Sequence, residues 1–312
     1  MPRRAVIDVG TNSVKVLLAD VEDAGVLPVW ETSIQTRLGK GFYESRTLQP
    51  GPIGATAEAV ASFAREAQAR GAFSIRVVAT SAARDAINGS DLTLAIQEAA
   101  RLPCEVISGD TEANWAFVGV TTHPSHQGLP LLVLDVGGGS TEFILGQRDP
   151  GRPAHVAHRA SHPIGSVRLQ ERFPPGDPPR PDELPRVRAW LDDFLRAEVA
   201  PALQQAMQAS FKPRHVLGVG GTTAILALME QGRDDFDRDA IEATHFTREG
   251  LSRSVEALWS EDLATRRRRR GLPPERADVI LFGAAIYEAV LRVLDLPALG
   301  VSTRGLRFAA LA

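Results

Sequence analysis

The chain has 312 residues, 44% of them apolar and 23% charged, with a formal net charge of −3. At ~150 residues per domain, that length suggests two domains, each with its own core. A slightly acidic chain has no global attraction for nucleic acid, so a polyanionic ligand must be held by local groups. The single Cys104 excludes an internal disulfide, and no Cys/His spacing suits zinc. Strand-like sequence starts within four residues of Met1, leaving no room for a signal peptide. No apolar run approaches the roughly 18 residues of a membrane span. The expectation is a cytoplasmic protein without a nucleic-acid or membrane partner.

In chain order, Arg4 to Ile7, Val14 to Val21 and Leu27 to Thr36 suggest an antiparallel meander. Ile53, Ala57, Val60, Ala64 and Ala67 fall at helical spacing, with Gly71 as a stop. Ser74 to Ala79 is a short strand. Asp91 is a candidate cap for a helix to Leu102, and Glu105 to Ile107 is a further strand with Cys104 packed at its start. Gly109 opens a helix that reaches Val120. The central strands follow, then strand Ala154 to Ala160 and a helix from near Gly165. Six prolines between Pro174 and Pro185 form a surface loop. A long helix then runs to Ala209, kinked or interrupted at Pro201. His215 to Val219 is a strand, and helices follow to Glu230, from Thr247 to Trp259 and from Arg276 to Leu294. A strand at Leu299 to Ser302 and a helix from Gly305 to Leu311 close the chain. Strand–helix alternation after a meander argues for a mixed α/β fold.

The central stretch, LLVLDVGGGSTEFILG from Leu131 to Gly146, carries the strongest local signal. Two strands flank Gly137, Gly138, Gly139, Ser140 and Thr141. A plain hairpin needs one or two glycines. A third makes sense if a ligand approaches the backbone, because bare N–H groups form a concavity for phosphate. A tight hairpin without a ligand is the alternative. Ala5 to Ser13 repeats the phrase: Asp8, Gly10 and Ser13 align with Asp135, Gly137 and Ser140, with Thr11 and Asn12 between. Self-similarity at a long offset implies duplication. Two such turns facing one another across a cleft would clamp a phosphate chain, with Asp135 and Glu142 placed to hold its counter-cation. Gly220, Gly221 and Thr222 form a third glycine element between a strand and a helix, aimed at the same cleft.

IDVGTNSVK, VATSAARDAIN, ISGDTEA, LDVGGGSTEF, GVGGTTAILA, RADVILFGA and VSTRGLR stand in that order. Together they resemble the exopolyphosphatase / guanosine pentaphosphate phosphohydrolase (Ppx/GppA) family. The resemblance runs from Arg4 to the end of the chain and is to the short, two-domain form. It implies an α/β, duplicated actin-like two-domain fold of the sugar kinase/heat-shock/actin superfamily, with an interdomain cleft. The expected domains are 1–122 with 298–312, and 123–297.

The resemblance also implies hydrolysis of the terminal phosphoanhydride of inorganic polyphosphate, dependent on Mg²⁺. Removal of the 5′-phosphate of guanosine pentaphosphate is the runner-up. An ATP-dependent phosphotransferase or a phosphate sensor of the same fold is a more distant reading, and a homodimer is one open state of assembly. Glu112 matches the family's catalytic glutamate in "ISGxEEA", although Thr111 replaces the preceding acid. A positioned carboxylate suits activation of water. Arg84 matches the phosphate-binding arginine, whose guanidinium can grip phosphate with two hydrogen bonds. Asp135 and Glu142 match acidic positions near the metal. Asp8 is expected to serve the same end, and hard carboxylate oxygens suit Mg²⁺.

Other features are discounted. Gly165 and Arg168 are read as structural, and Lys15 as equally compatible with a solvated strand residue. His155, His158 and His162 lack a clear metal spacing. Arg266 to Arg270 is read as a solvated helix end, with capture of a long anion as the alternative. Thr303 and Phe308 replace two acids of the family's "SDxGLREG", so roles tied to those acids are not carried over.

Overall fold

Along β1 (Arg3–Val9), successive apolar side chains go to opposite faces of a sheet. Ile7 and Val9 join Val60, Phe63 and Leu92 in one cluster, while Val6 joins Val78, Leu306 and Phe308 in another. A strand covered on both faces must be apolar almost throughout, which is why β1 shows no clean alternation. The computed structural model describes residues 2–22 and 25–311. Met1, Asp23, Ala24 and Ala312 fall inside the expected domain ranges but outside the described residues.

The chain divides into two compact units, residues 1–122 with 305–312, and residues 123–304. In the first, β2 (Val14–Glu22), β3 (Gly25–Ile34), β4 (Ser74–Ala79) and β5 (Cys104–Val106) complete a sheet of order β3-β2-β1-β4-β5. The meander β1-β2-β3 is antiparallel, and β4 and β5 add in parallel. Helices Pro50–Ala69 and Gly89–Ala100 cover one face. Helix Gly109–Val120 packs on the other with the returning helix Leu306–Ala310. Those last two approach so closely that a Cβ on Gly119 would lie 2.0 Å from Gly305 O.

The second unit contains β6 (Leu131–Val136), β7 (Thr141–Gln147), β8 (His155–His162), β9 (His215–Val219), β10 (His245–Thr247) and β11 (Ala298–Val301). Their order is β10-β11-β9-β6-β7-β8. Read from the other edge, β8-β7-β6-β9-β11 repeats β3-β2-β1-β4-β5, with the same pattern of antiparallel and parallel pairs. Helix Ile280–Val293 is buried on every side from Ile280 to Leu291, as a run apolar but for Tyr287 and Glu288 requires, and Glu288 is paired there with Arg188 at 2.5 Å.

Four details differ from the sequence reading. β11 pairs with β9 through Gly300–Leu217 and Val301–Gly218, and Ser302 N–H donates to Gly218 O at 3.0 Å. The last division therefore falls at 304/305 rather than at 297/298. Asp91 sits inside a first turn, since Asn88 occupies the cap position and donates to the Asp91 carboxylate at 3.1 Å. Pro201 does not interrupt its helix. Glu183–Phe194 and Ala200–Ala209 are joined through a π-helical turn at Leu195–Val199, and that wider turn gives the proline ring room. The last long helix starts at Ile280, not Arg276, after a 3₁₀ turn at Pro274–Arg276.

Candidate active site

The two repeated phrases fold alike. Asp8 pairs with Lys15 and Val9 with Val14, and Gly10 N–H donates to Ser13 O at 3.0 Å. Asp135 pairs with Glu142 and Val136 with Thr141, and Gly137 N–H donates to Ser140 O at 2.9 Å. Each closure uses one amide of its turn. The carbonyls are tied from behind. In the first unit Gly39 N–H donates to Thr11 O at 2.7 Å and Arg37 N–H to Asn12 O at 3.0 Å. In the second, Ser166 N–H donates to Gly137 O, Val167 N–H to Gly138 O, and Arg168 Nε to Gly139 O, at 3.0, 2.9 and 2.8 Å. Gly165 must be glycine because a Cβ there would lie 2.5 Å from Gly138 C and O. Gly165 and Arg168 thus buttress the turn.

β9 ends beside Asp135. Gly220 adopts φ 92°, and a Cβ on it would lie 2.8 Å from Asp135 Oδ1, so only glycine fits. Gly221 opens helix Gly221–Gln231, and Thr222 is buried in its first turn. Glu142 is 1% exposed and accepts from Ser161 Oγ at 2.7 Å. Thr141 Oγ1 donates to Ile164 O at 2.6 Å.

In the first unit, Ser108 caps helix Gly109–Val120 by accepting from Thr111 N–H at 3.1 Å. Its hydroxyl also meets Thr111 Oγ1 at 3.0 Å. Glu112 follows, almost buried. Arg84, on helix Ser81–Asp85 after β4, donates through Nη1 to Glu112 Oε2 at 2.8 Å and to Ile107 O at 3.2 Å. The ends of β4 and β5 therefore bring the expected carboxylate and guanidinium together. The expected metal carboxylates are divided between the units: Asp8 in the first, Asp135 and Glu142 in the second. Among the described residues, no three His, Cys, Asp or Glu side chains converge on one metal position.

Two residues escaped the sequence reading. Tyr287 is fully buried; its hydroxyl donates to Val219 O at 2.9 Å and accepts from Val136 N–H at 3.3 Å. It staples β6 to β9 where they part toward Asp135 and Gly220. Burial, and then the Asp135 charge, push its phenol well above its ordinary range, so it stays protonated. Its signal is a hydroxyl inside a helix that is otherwise apolar but for Glu288 and Arg292. Arg276 is 9% exposed, with Nη2 2.8 Å from where a Gly221 Cβ would stand. The discounted histidines lie on β8. His162 packs edge-on against Phe143 and Phe194, and burial lowers His158 and His162 below the usual imidazole range. Cys104 is half-buried, and desolvation pushes its thiol up to about 12.

The family model of the Ppx/GppA phosphatases matches residues 17–310. Exopolyphosphatase 2 of Mycobacterium tuberculosis is 34% identical over 308 residues, covering 94% of this chain and 91% of that protein. The chain belongs to the Ppx/GppA phosphatase family. Crystal structures of the Aquifex aeolicus family member and of an exopolyphosphatase from Cytophaga hutchinsonii superpose with TM-scores of 0.78 and 0.86. They are 27% and 25% identical, and each match covers 99% of this chain and 96% of the other. The fold is the duplicated actin-like α/β fold, and the chain is a phosphoanhydride hydrolase. No helix among the described residues is long and apolar enough to cross a membrane.

The three positions that the sequence reading set apart from the family pattern have distinct local settings. Thr111 joins the helix cap. Thr303 N–H and Oγ1 both donate to Glu242 Oε1, at 2.9 and 2.5 Å. Phe308 is fully buried in an apolar first-unit cluster, where an acid would be desolvated.

Proposed function

We propose that this protein is an exopolyphosphatase that releases the terminal phosphate of inorganic polyphosphate. The observation that carries the reading is the Arg84–Glu112 pair, a nearly buried carboxylate 2.8 Å from a guanidinium. Phosphoryl transfer needs positioning and charge neutralisation, together with a base for the attacking water. Glu112 takes a proton from that water as its oxygen forms the new P–O bond. The bridging P–O bond breaks, and the chain leaves one phosphate shorter. Arg84 uses Nη1 for Glu112 and Ile107, so Nη2 lies outside those bonds and suits a phosphoryl oxygen.

The amides of the Gly10–Ser13 and Gly137–Ser140 turns and of Gly220–Thr222 suit further phosphate oxygens. Asp135 and Glu142 face each other across two strands and offer hard oxygens. Mg²⁺ commonly takes one or two carboxylates and completes its shell with water and phosphate, so this donor pair fits it. Bound there, Mg²⁺ would neutralise charge on the phosphates. Glu112→Gln keeps the shape and removes the base. Phosphate release should fall roughly 10²–10⁴-fold with polyphosphate affinity retained. A variant within a few-fold of wild type would place the base elsewhere, and a wild type that releases no phosphate from polyphosphate would reject the reading.

A further inference from the structure

Ser81 Oγ and Asn12 Nδ2 are buried polar atoms of the first unit with no hydrogen-bond partner among the described residues. Ser81 is 3% exposed and Asn12 7%. Buried polar groups are nearly always bonded, so each such atom calls for a reason. Both residues lie just beyond strand ends that are fastened together, since Thr80 N–H donates to Val9 O at 3.2 Å. Asn12 belongs to the turn after β1. Ser81 follows Thr80 directly and precedes Arg84 by one short turn, held by Arg84 N–H to Thr80 O at 3.0 Å.

The duplication gives Ser81 a counterpart. Asp8 pairs with Val78 as Asp135 pairs with Val219. Counting on from those pairs, Thr80 stands where Gly221 stands, and Ser81 where Thr222 stands. A buried hydroxyl residue thus occupies the same place after the central parallel strand in both units. In the first unit, that place is three residues from the guanidinium that holds Glu112.

We propose that the Ser81 hydroxyl is a substrate-binding donor for the reaction, giving its hydrogen bond to a phosphoryl oxygen of the chain held by Arg84, with Asn12 Nδ2 donating to the same chain. This rests on the exopolyphosphatase reading. A hydroxyl donating to an anionic oxygen makes a charge-assisted bond, stronger than a neutral one. No described protein group pairs with this hydroxyl, so removing it should cost the ligand-free fold little. Function and stability should therefore respond differently when it is removed.

The test compares the wild-type serine with its alanine variant in two settings. Melting temperature is measured on the ligand-free wild type and on Ser81→Ala. Tripolyphosphate affinity is measured by calorimetry in the Glu112→Gln background, where turnover does not interfere. Ser81→Ala should keep or raise the melting temperature and weaken tripolyphosphate roughly 10–100-fold. Ser81→Thr should restore most of the affinity, and Asn12→Ala should weaken it in the same direction. Unchanged affinity in Ser81→Ala overturns the proposal. So does a lowered melting temperature with affinity kept, which marks a structural hydroxyl. A wild type that binds tripolyphosphate yet releases no phosphate defeats the exopolyphosphatase reading alone, and the affinity comparison still decides Ser81. A protein that binds no tripolyphosphate sinks both.

Discussion

Asp135 shows how much one side chain depends on its neighbours. Its strand partner is Glu142, glycine is forced at Gly220 by its Oδ1, and Tyr287 fixes the strand beneath it. Asparagine at this position keeps the volume and removes the charge. Asp135→Asn should therefore leave the fold intact and raise the Mg²⁺ concentration for half-maximal phosphate release by about tenfold or more. An unchanged Mg²⁺ titration would reject its metal role. At this scale the sequence was informative where a residue type carries its own chemistry. Asp135, Glu142, Glu112 and Arg84 stand out on that ground, and the structure brings Arg84 and Glu112 into contact. Ser81 and Tyr287 do not, because their meaning lies in what surrounds them. A serine after a strand is ordinary until its hydroxyl is found buried and unpartnered.

Elements were read well where periodicity is strong and poorly where side chains capture backbone. The five-arginine run shows the second case. Neither a solvated helix end nor a uniform anion trap describes it. Arg266 is 2% exposed, and its guanidinium donates to Ala277 O at 3.0 Å and also to Leu258 O and Glu261 O. Arg269 pairs with Glu261 at 2.7 Å and Arg270 with Asp234 at 3.4 Å, while Arg267 and Arg268 are exposed. Arg266 thus pins the segment that leads to Arg276 and the late start of helix Ile280–Val293. Arg266→Gln should cost about 1.5–3 kcal/mol of stability in chemical denaturation, the range for a hydrogen bond to a charged group. Neutralising Arg267 and Arg268 together should change stability by less than about 0.5 kcal/mol. Equal effects from the two changes would mean that Arg266 is not the anchor. The acidic neighbours Glu261 and Asp234 weaken the case for a long-anion track along this run.

At the scale of the whole chain, the duplication was legible because one phrase occurs twice and chemistry keeps its spacing. The two sheets repeat their order, and the two turns close on equivalent atoms. The final chain crossing was misplaced by seven residues, because a four-residue strand carries no sign of which sheet it joins. The same scale bears on the proposed substrate. Polyphosphate and guanosine pentaphosphate both end in a phosphoanhydride, so Glu112 and Arg84 cannot separate them. Discrimination must come from groups that hold the rest of the molecule. A guanine base needs an apolar or aromatic face and polar groups at its edge. Aromatic residues make up 6% of the chain, and none stands in the three glycine elements. Those nearest them in sequence or contact, Phe143 and Tyr287, are fully buried and present no face for stacking. Phe73, 85% exposed, stands at the end of β4 opposite Thr80, away from the strand ends that carry Arg84. Polyphosphate asks only for repeated amides, cations and a metal, which the duplicated turns, Arg84 and the Asp135–Glu142 pair offer. The expected outcome is a higher kcat/KM for polyphosphate than for guanosine pentaphosphate, measured at one salt and one Mg²⁺ concentration. A clear preference for guanosine pentaphosphate would mean that a base site is assembled from residues distant in sequence, and would replace polyphosphate as the assigned substrate.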